Sequence, residues 1–228
     1  MAEPRDIDPR VVSGLERQLE GWRSLLDGGA ERLGWKIGLN DPRVQEKLGL
    51  TEPIIGFLTS ASAVEDGASH SIGGMEKPLL EPEVAIELRR DVEAGAAVDE
   101  ALAAIESLGP ALELVDLPRP PDDVEAVLVG NVFHRAVVFG PTRQDAALSG
   151  VTVGMRVNGE ERATAPAAVD LAETIRLVAD LLGACGERLR AGDRIIAGSL
   201  TAPLPVSPGD AVELELGSLG LVGLTLEA

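Results

Sequence analysis

Glu81 and Glu83 stand two residues apart in Leu79-Leu80-Glu81-Pro82-Glu83-Val84-Ala85-Ile86-Glu87-Leu88, a segment that alternates as a β-strand does. Glu81, Glu83, Ala85 and Glu87 share one face; Val84, Ile86 and Leu88 share the other. The two carboxylates then lie about 7 Å apart at the rise of a strand. Like charges held that close repel, and a hard divalent cation between them removes the penalty. The plainer alternative is a solvated acidic face on an edge strand, with Pro82 confined there because proline donates nothing to a ladder. Glu113 lies in the apolar stretch at residues 110–116, where a carboxylate is costly unless paired or metal-bound. It can supply a third oxygen ligand from a neighbouring strand. Asp116, beside the turn prolines, is either an acceptor behind those ligands or a strand-end cap.

Lys36 is the lone charge in Gly34-Trp35-Lys36-Ile37-Gly38-Leu39. A buried ammonium suits stabilisation of an enolate or delivery of a proton; a lysine snorkelling from an edge strand is the alternative. Gly198-Ser199-Leu200-Thr201 follows an apolar strand. Its hydroxyls suit a carboxylate or carbonyl, and a polar turn fits equally well. His70 falls in a long loop and His134 near a helix–strand junction, with no shared metal spacing. His134 is either a site residue or a cap. No Gly-x-Gly-x-x-Gly, Walker-type loop or Gly-x-Ser-x-Gly elbow occurs, so nucleotide binding and Ser-His-Asp hydrolysis have no support.

These residues need elements to position them. Asp8-Pro9 opens an amphipathic helix that runs to Gly28-Gly29 and needs a partner surface. A buried strand at 34–39 and a short helix ending at Gly49 follow. Residues 51–78, rich in glycine, serine and alanine, read as a long loop with short strand fragments. After the acidic strand, a helix capped by Asp99 is expected over 100–108, stopped by Gly109-Pro110, then a strand at 111–117. Asn158-Gly159 marks a hairpin. A helix is expected over 170–182, and strands at 135–140, 194–197, 211–216 and 221–226. The pattern predicts an α+β domain with a large, mostly antiparallel β core and helices at its margins.

Of 228 residues, 45% are hydrophobic and 25% charged, an ordinary globular balance with ample length for a core. A net charge of −18 argues against non-specific binding to nucleic acid or an anionic membrane. Aromatics at 2% leave almost no base-stacking platform. The single cysteine, Cys185, fits a reducing, cytoplasmic setting. The N-terminus lacks a signal-peptide pattern, and no run approaches the roughly 20 apolar residues of a membrane span.

Four motifs occur in order: Gly34-Trp-Lys-Ile-Gly-Leu39, Leu80-Glu-Pro-Glu-Val-Ala85, Ala111-Leu-Glu-Leu-Val-Asp116, and Leu189-Arg-Ala-Gly-Asp-Arg-Ile-Ile-Ala-Gly-Ser-Leu-Thr201. Together they resemble the 2-oxopent-4-enoate hydratase / 4-oxalocrotonate decarboxylase group of the fumarylacetoacetate hydrolase superfamily. The resemblance spans about 34–228, leaving 1–33 as an N-terminal helical segment. It implies a fumarylacetoacetate-hydrolase-like fold, a β-rich mixed-sheet roll with flanking helices. It implies Glu81, Glu83 and Glu113 as ligands of Mg²⁺ or Mn²⁺, Lys36 as catalytic, Ser199, Thr201, Leu39 and Asn131 as substrate-binding, and Asp116 behind the ligands. It implies a hydratase acting on a small 2-oxo or 2-hydroxydienoic acid, as in degradation of aromatic compounds, with decarboxylation or non-catalytic binding as alternatives. Relatives of this kind form oligomers and can assemble with a partner enzyme. The apolar stripe of the first helix is a second reason to expect a homo-oligomer. The sequence also departs from the group. An acidic pair usual after Gly-x-Leu is replaced by Thr59-Ser60-Ala61-Ser62, the usual Asp-Asn by Gly130-Asn131, and the usual Asp-Ser-Arg by Asp116-Leu117-Pro118-Arg119.

Overall fold

The computed structural model describes residues 5–228. Helix α1 (Pro9–Asp27) begins as its sequence dictates: Asp8 Oδ1 accepts from Arg10 N at 2.8 Å, and Pro9 takes the first helical position. Then come β1 (Arg32–Gly38), α2 (Pro42–Leu48), β2 (Ile54–Thr59), the short β3 (Ala63–Val64) and β4 (Ser69–Ser71), and the long β5 (Pro78–Leu88). The middle of the chain supplies α3 (Val98–Ala103), β6 (Ile105–Asp116), α4 (Val124–Val129), β7 (His134–Phe139) and β8 (Arg143–Gln144). The last third holds β9 (Thr152–Val157), β10 (Glu160–Pro166), α5 (Leu171–Ala184), β11 (Arg194–Ile196), β12 (Leu204–Pro205), β13 (Ala211–Leu216) and β14 (Leu221–Glu227).

Two mixed sheets result. The larger runs β2-β1-β11-β5-β6-β7-β3, with β12 added on β5 and β8 on β6. The smaller runs β10-β9-β13-β14-β4. The pairs β1–β11, β4–β14 and β3–β7 are parallel; the other ladders are antiparallel. Asn158 and Gly159, both with positive φ, turn β9 into β10 as the hairpin signal predicts. The β-rich α+β class stands.

Four local expectations are corrected. Residues 51–78 contain β2, a six-residue strand paired with β1 and buried except at the half-buried Phe57, longer than the short fragments expected there. The helix expected over 100–108 ends at Ala103, is capped at Ala97 rather than Asp99, and gives way to β6. Gly109 and Pro110 are paired strand residues, opposite Ala85 and Val84. A Cβ at Gly109 would sit 2.5 Å from the Pro141 carbonyl oxygen, so that glycine serves close packing rather than a stop. Pro82, finally, is on no edge, because β5 lies between β6 and β11. Its carbonyl accepts from Leu200 N at 2.8 Å, so its ring nitrogen faces the gap between β11 and β12, where no ladder donor is needed.

The stripe of α1 is covered by its own chain. Val11, Leu15, Leu19 and Trp22 are buried in the main core, and Gly14 packs on Leu128 of α4. The buried Gln18 donates through Nε2 to Ile55 O at 3.1 Å and Leu128 O at 2.7 Å, bolting α1 to β2 and α4. Leu25, 41% exposed, is the exception, and it leaves only the C-terminal end of the stripe open to a neighbour.

Candidate metal centre and cavity

The face of the large sheet opposite Trp35 and Ile37 gathers the charges. Glu81 on β5 is directly opposite Glu113 on β6, and Glu83 follows two residues along. One oxygen from each of the three carboxylates lies within 4.8 Å of the others. Lys36 arrives from β1, across β11: its Nζ is 2.7 Å from Glu113 Oε1 and donates to Val132 O at 3.1 Å. Glu83, Glu113 and Lys36 are at most 1% exposed. Lys36 is thus interior, and Glu81 and Glu83 are not a solvated edge.

Each carboxylate has a different second life. Glu83 Oε2 accepts from Gly198 N at 2.7 Å. Gly198 adopts a φ of 92°, which favours glycine, and this bend aims its N–H at the carboxylate. Glu113 Oε1 accepts from Lys36 and also from His134 Nδ1 at 2.7 Å, and His134 Nε2 shares a 2.8 Å hydrogen bond with Ser62 Oγ. A carboxylate can only accept, so Nδ1 carries the hydrogen. Glu83 Oε1 and Glu113 Oε2 are buried with no hydrogen-bond partner among the described residues. Orphaned anionic oxygens inside a protein are costly. Three convergent carboxylates with free lone pairs are the donor set of a hard divalent cation, so the residues fit such an ion.

The charges explain one another. Burial pushes the Glu81 carboxyl up, and the neighbouring Glu113 adds to it, to about 7; Lys36 opposes both. Glu83 is pushed well above the usual carboxylate range by burial, Glu113 and Glu81. Burial acts against charging Glu113, yet Lys36 and His134 outweigh it and hold this carboxyl below its usual value. Burial lowers Lys36, but Glu113, Glu81 and Glu83 more than compensate, and the ammonium stays charged. A divalent cation must displace the protons from Glu81 and Glu83. Its affinity is therefore expected to rise with pH through about 7, with net proton release below that point. Calorimetric titration with Mn²⁺ at pH 6 and pH 8, in buffers of different ionisation enthalpy, checks this; a pH-independent affinity would refute it.

The backbone that serves Lys36 is strained. Asn131, Val132 and Phe133 have φ of 51°, 52° and 65°, three consecutive left-handed residues ending in β7. For a β-branched valine this conformation is costly. Asn131 holds it in place: its Oδ1 accepts from Phe57 N at 2.8 Å and its Nδ2 donates to Phe57 O at 3.0 Å. Gly56 makes room, since a Cβ there would meet Asn131 Oδ1 at 2.7 Å and Lys36 Cγ at 3.0 Å.

A cavity of about 500 Å³ opens beside Lys36 and Glu81. Leu39, Ser199 and Thr201 are among the residues that line it. The hydroxyl of Ser199 is bonded to Thr201 O and that of Thr201 to Ala202 O. Asn131 does not line it; its side chain is spent on Phe57, which corrects its assignment as a substrate contact. Asp116 is also not behind the ligands. It is an odd number of residues from Glu113, faces the other way, and accepts from Lys77 N at 2.8 Å as a strand-end cap. His70 lies on β4 in the other sheet, away from the centre. Sequence reasoning left His134 undecided and missed Ser62, the Gly198 N–H, and the start of α2, where Asn40, Asp41, Arg43 and Val44 form the cavity rim. The last of these had a signal: α2 begins directly after the strand of Lys36.

A mixed sheet that assembles three carboxylates and a lysine beside a largely apolar cavity defines a metal-centre fold, and its sequence has relatives. The chain belongs to the fumarylacetoacetate hydrolase family: residues 35–226 match the family described as Fumarylacetoacetate (FAA) hydrolase C-terminal. It is 31% identical over 214 residues to a 2-hydroxyhexa-2,4-dienoate hydratase of Comamonas testosteroni, covering 86% of this chain and 79% of that one. It is 30% identical over 221 residues to a 4-oxalocrotonate decarboxylase of a Pseudomonas species, covering 94% and 85%. The solved 4-oxalocrotonate decarboxylase from Pseudomonas putida G7, complexed with magnesium and adipate, superposes with a TM-score of 0.85 at 27% identity over 92% of this chain and 83% of that one. Among the described residues, no helix is long and apolar enough to cross a membrane.

Proposed function

We propose that the protein is a divalent-metal-dependent lyase, a hydratase acting on a small 2-oxo or 2-hydroxydienoic acid, as in meta-cleavage degradation of aromatic compounds. The observation that carries this reading is the pair of orphaned oxygens, Glu83 Oε1 and Glu113 Oε2, beside the Lys36 ammonium at a cavity wall. Glu81, Glu83 and Glu113 would hold Mg²⁺ (or Mn²⁺), which supplies Lewis-acid polarisation of the 2-oxygen and a template for the adjacent carboxylate. Lys36 keeps its proton because three carboxylates surround it, and it stands as a fixed cation where negative charge develops on that oxygen. The Val132 carbonyl fixes the direction of the ammonium. Ser199 and Thr201 turn their hydroxyls from backbone carbonyls to the substrate's polar head, and Leu39 packs along its chain. His134 and Ser62 hold Glu113 Oε1, leaving Oε2 free.

In this reading residues 34–228 form the catalytic unit and 1–33 the helical segment bolted to it. The protein works in the cytoplasm, which its free thiol Cys185 supports, as a homo-oligomer that can dock a partner enzyme of the same pathway. Decarboxylation of a 4-oxalocrotonate-type acid is the second reading, supported by the likeness to the decarboxylases and by Thr59-Ser60-Ala61-Ser62 standing where the group usually carries an acidic pair. Such a reaction needs an electron sink but no positioned water.

The test follows the ultraviolet absorbance of 2-hydroxypenta-2,4-dienoate and of 2-hydroxymuconate with and without Mg²⁺, with products identified by mass. Metal-dependent gain of water by the pentadienoate is the expected result. Loss of CO₂ from the muconate would select the second reading. No turnover of either, with oxalate still bound, would leave a metal- and oxo-acid-binding subunit without catalysis.

A further inference from the structure

We infer that the cavity selects a monocarboxylic acid with an apolar tail over a dicarboxylic acid of the same length. The inference rests on the proposed function, because it takes the Lys36–Glu81 end as the seat of the oxo-acid head. Most of the remaining lining is apolar, with Leu39, Val44, Val115, Leu117, Pro121 and Phe133, and the amide of its polar Asn40 already donates to Ser199 O at 3.2 Å. A carboxylate carried into such a lining loses hydration without gaining a partner. Among the described residues, Arg43 is the one cation of the lining besides Lys36, and it is already engaged. Its Nε and Nη2 donate to Asp41 Oδ1 and Oδ2 at 3.2 and 2.8 Å, closing a fork–fork pair whose net charge is zero. A second substrate carboxylate reaching Arg43 would meet Asp41 with it. The Arg43 side chain is also 89% exposed, so any new pair formed there is solvent-screened and weak. Arg119 does not line this cavity; it lines an adjoining cleft of about 80 Å³ that shares Pro121 and Phe133 with it and also holds Asp122 and Asp123. The chain's net charge of −18 opposes a dianion more than a monoanion at long range.

Binding is the discriminating measurement. An apolar wall also speeds loss of CO₂ from a carboxylate forced against it, so turnover alone does not separate the cases. Oxalate, 2-oxohexanoate and 2-oxoadipate are titrated calorimetrically into the Mg²⁺-loaded protein. The two oxo acids have the same length, differ in the distal carboxylate, and lack the double bonds needed for turnover. The expected result is that 2-oxohexanoate binds about ten-fold more tightly than 2-oxoadipate, or more. Asp41→Asn keeps a good helix cap and releases Arg43; it is expected to tighten 2-oxoadipate several-fold. Equal or tighter binding of 2-oxoadipate to the unaltered protein, lost in Arg43→Ala, would overturn the inference and make Arg43 a distal carboxylate receptor. Oxalate binding with either outcome leaves the proposed head-group site standing. Failure of oxalate and both oxo acids to bind would overturn the proposed function itself, and the inference with it.

Discussion

Lys36→Met is expected to abolish turnover while leaving divalent-metal binding in place. Lys36 is wholly buried, and its charge is sustained by Glu113, Glu81 and Glu83. Methionine fills much of the same volume without the ammonium. Removing a preorganised cation from a site of developing negative charge costs about 10²–10³ in rate. The three carboxylates remain, and they lose the one cation that competes with a metal ion for them. Loss of the ammonium also lets the carboxyls of Glu81, Glu83 and Glu113 rise, so Mn²⁺ binding should persist on the alkaline side and weaken first as the pH falls. Parallel measurement of turnover and of Mn²⁺ binding by electron paramagnetic resonance gives the answer. Concerted loss of both would mean that Lys36 merely holds the site together, and unchanged turnover would remove it from the chemistry.

Glu113→Gln is expected to be costly even before metal is added. Glu113 is the hub of the centre, accepting from Lys36 and His134 through one oxygen. Its removal strips a buried ammonium of its closest counter-charge, and breaking a buried pair from one side costs about 3–5 kcal/mol. The substitution also takes away a ligand oxygen, so stabilisation by added Mn²⁺ should vanish. Combining it with Lys36→Met removes both partners, and the double variant should be more stable than Glu113→Gln alone. Chemical denaturation of the metal-free single and double variants forms the cycle. Additive losses would show that Lys36 and Glu113 are not coupled, contrary to their 2.7 Å contact.

Much of this centre could be read from the chain because its residues violate their surroundings. Lys36 and Glu113 are charges inside apolar runs, and Glu81 and Glu83 are two carboxylates on one strand face. Each violation is local and needs a partner, and the partners are one another. What stayed hidden depends on approach through space. His134 meets Glu113 only because β7 pairs with β6, and Ser62 meets His134 only because the turn before β3 comes back beside β7. Asn131 gave a recognisable motif position but not its use, since nothing local tells that its amide would clip Phe57. Gly109-Pro110 reads as a stop by composition, yet becomes strand when neighbouring backbone presses close enough to need a glycine. Asp41 and Arg43 look like a helix start, and their mutual neutralisation matters only because the start forms a cavity rim.

The left-handed run at Asn131–Phe133 separates two jobs usually tangled together. Val132 meets Lys36 through its carbonyl, and Val132 and Phe133 both line the cavity. The Lys36 ammonium is therefore oriented by main chain as well as by Glu113, and the main-chain carbonyl is one that every amino acid possesses. Side-chain replacement at these positions can redraw the space around a substrate without rewriting the lysine's hydrogen bond.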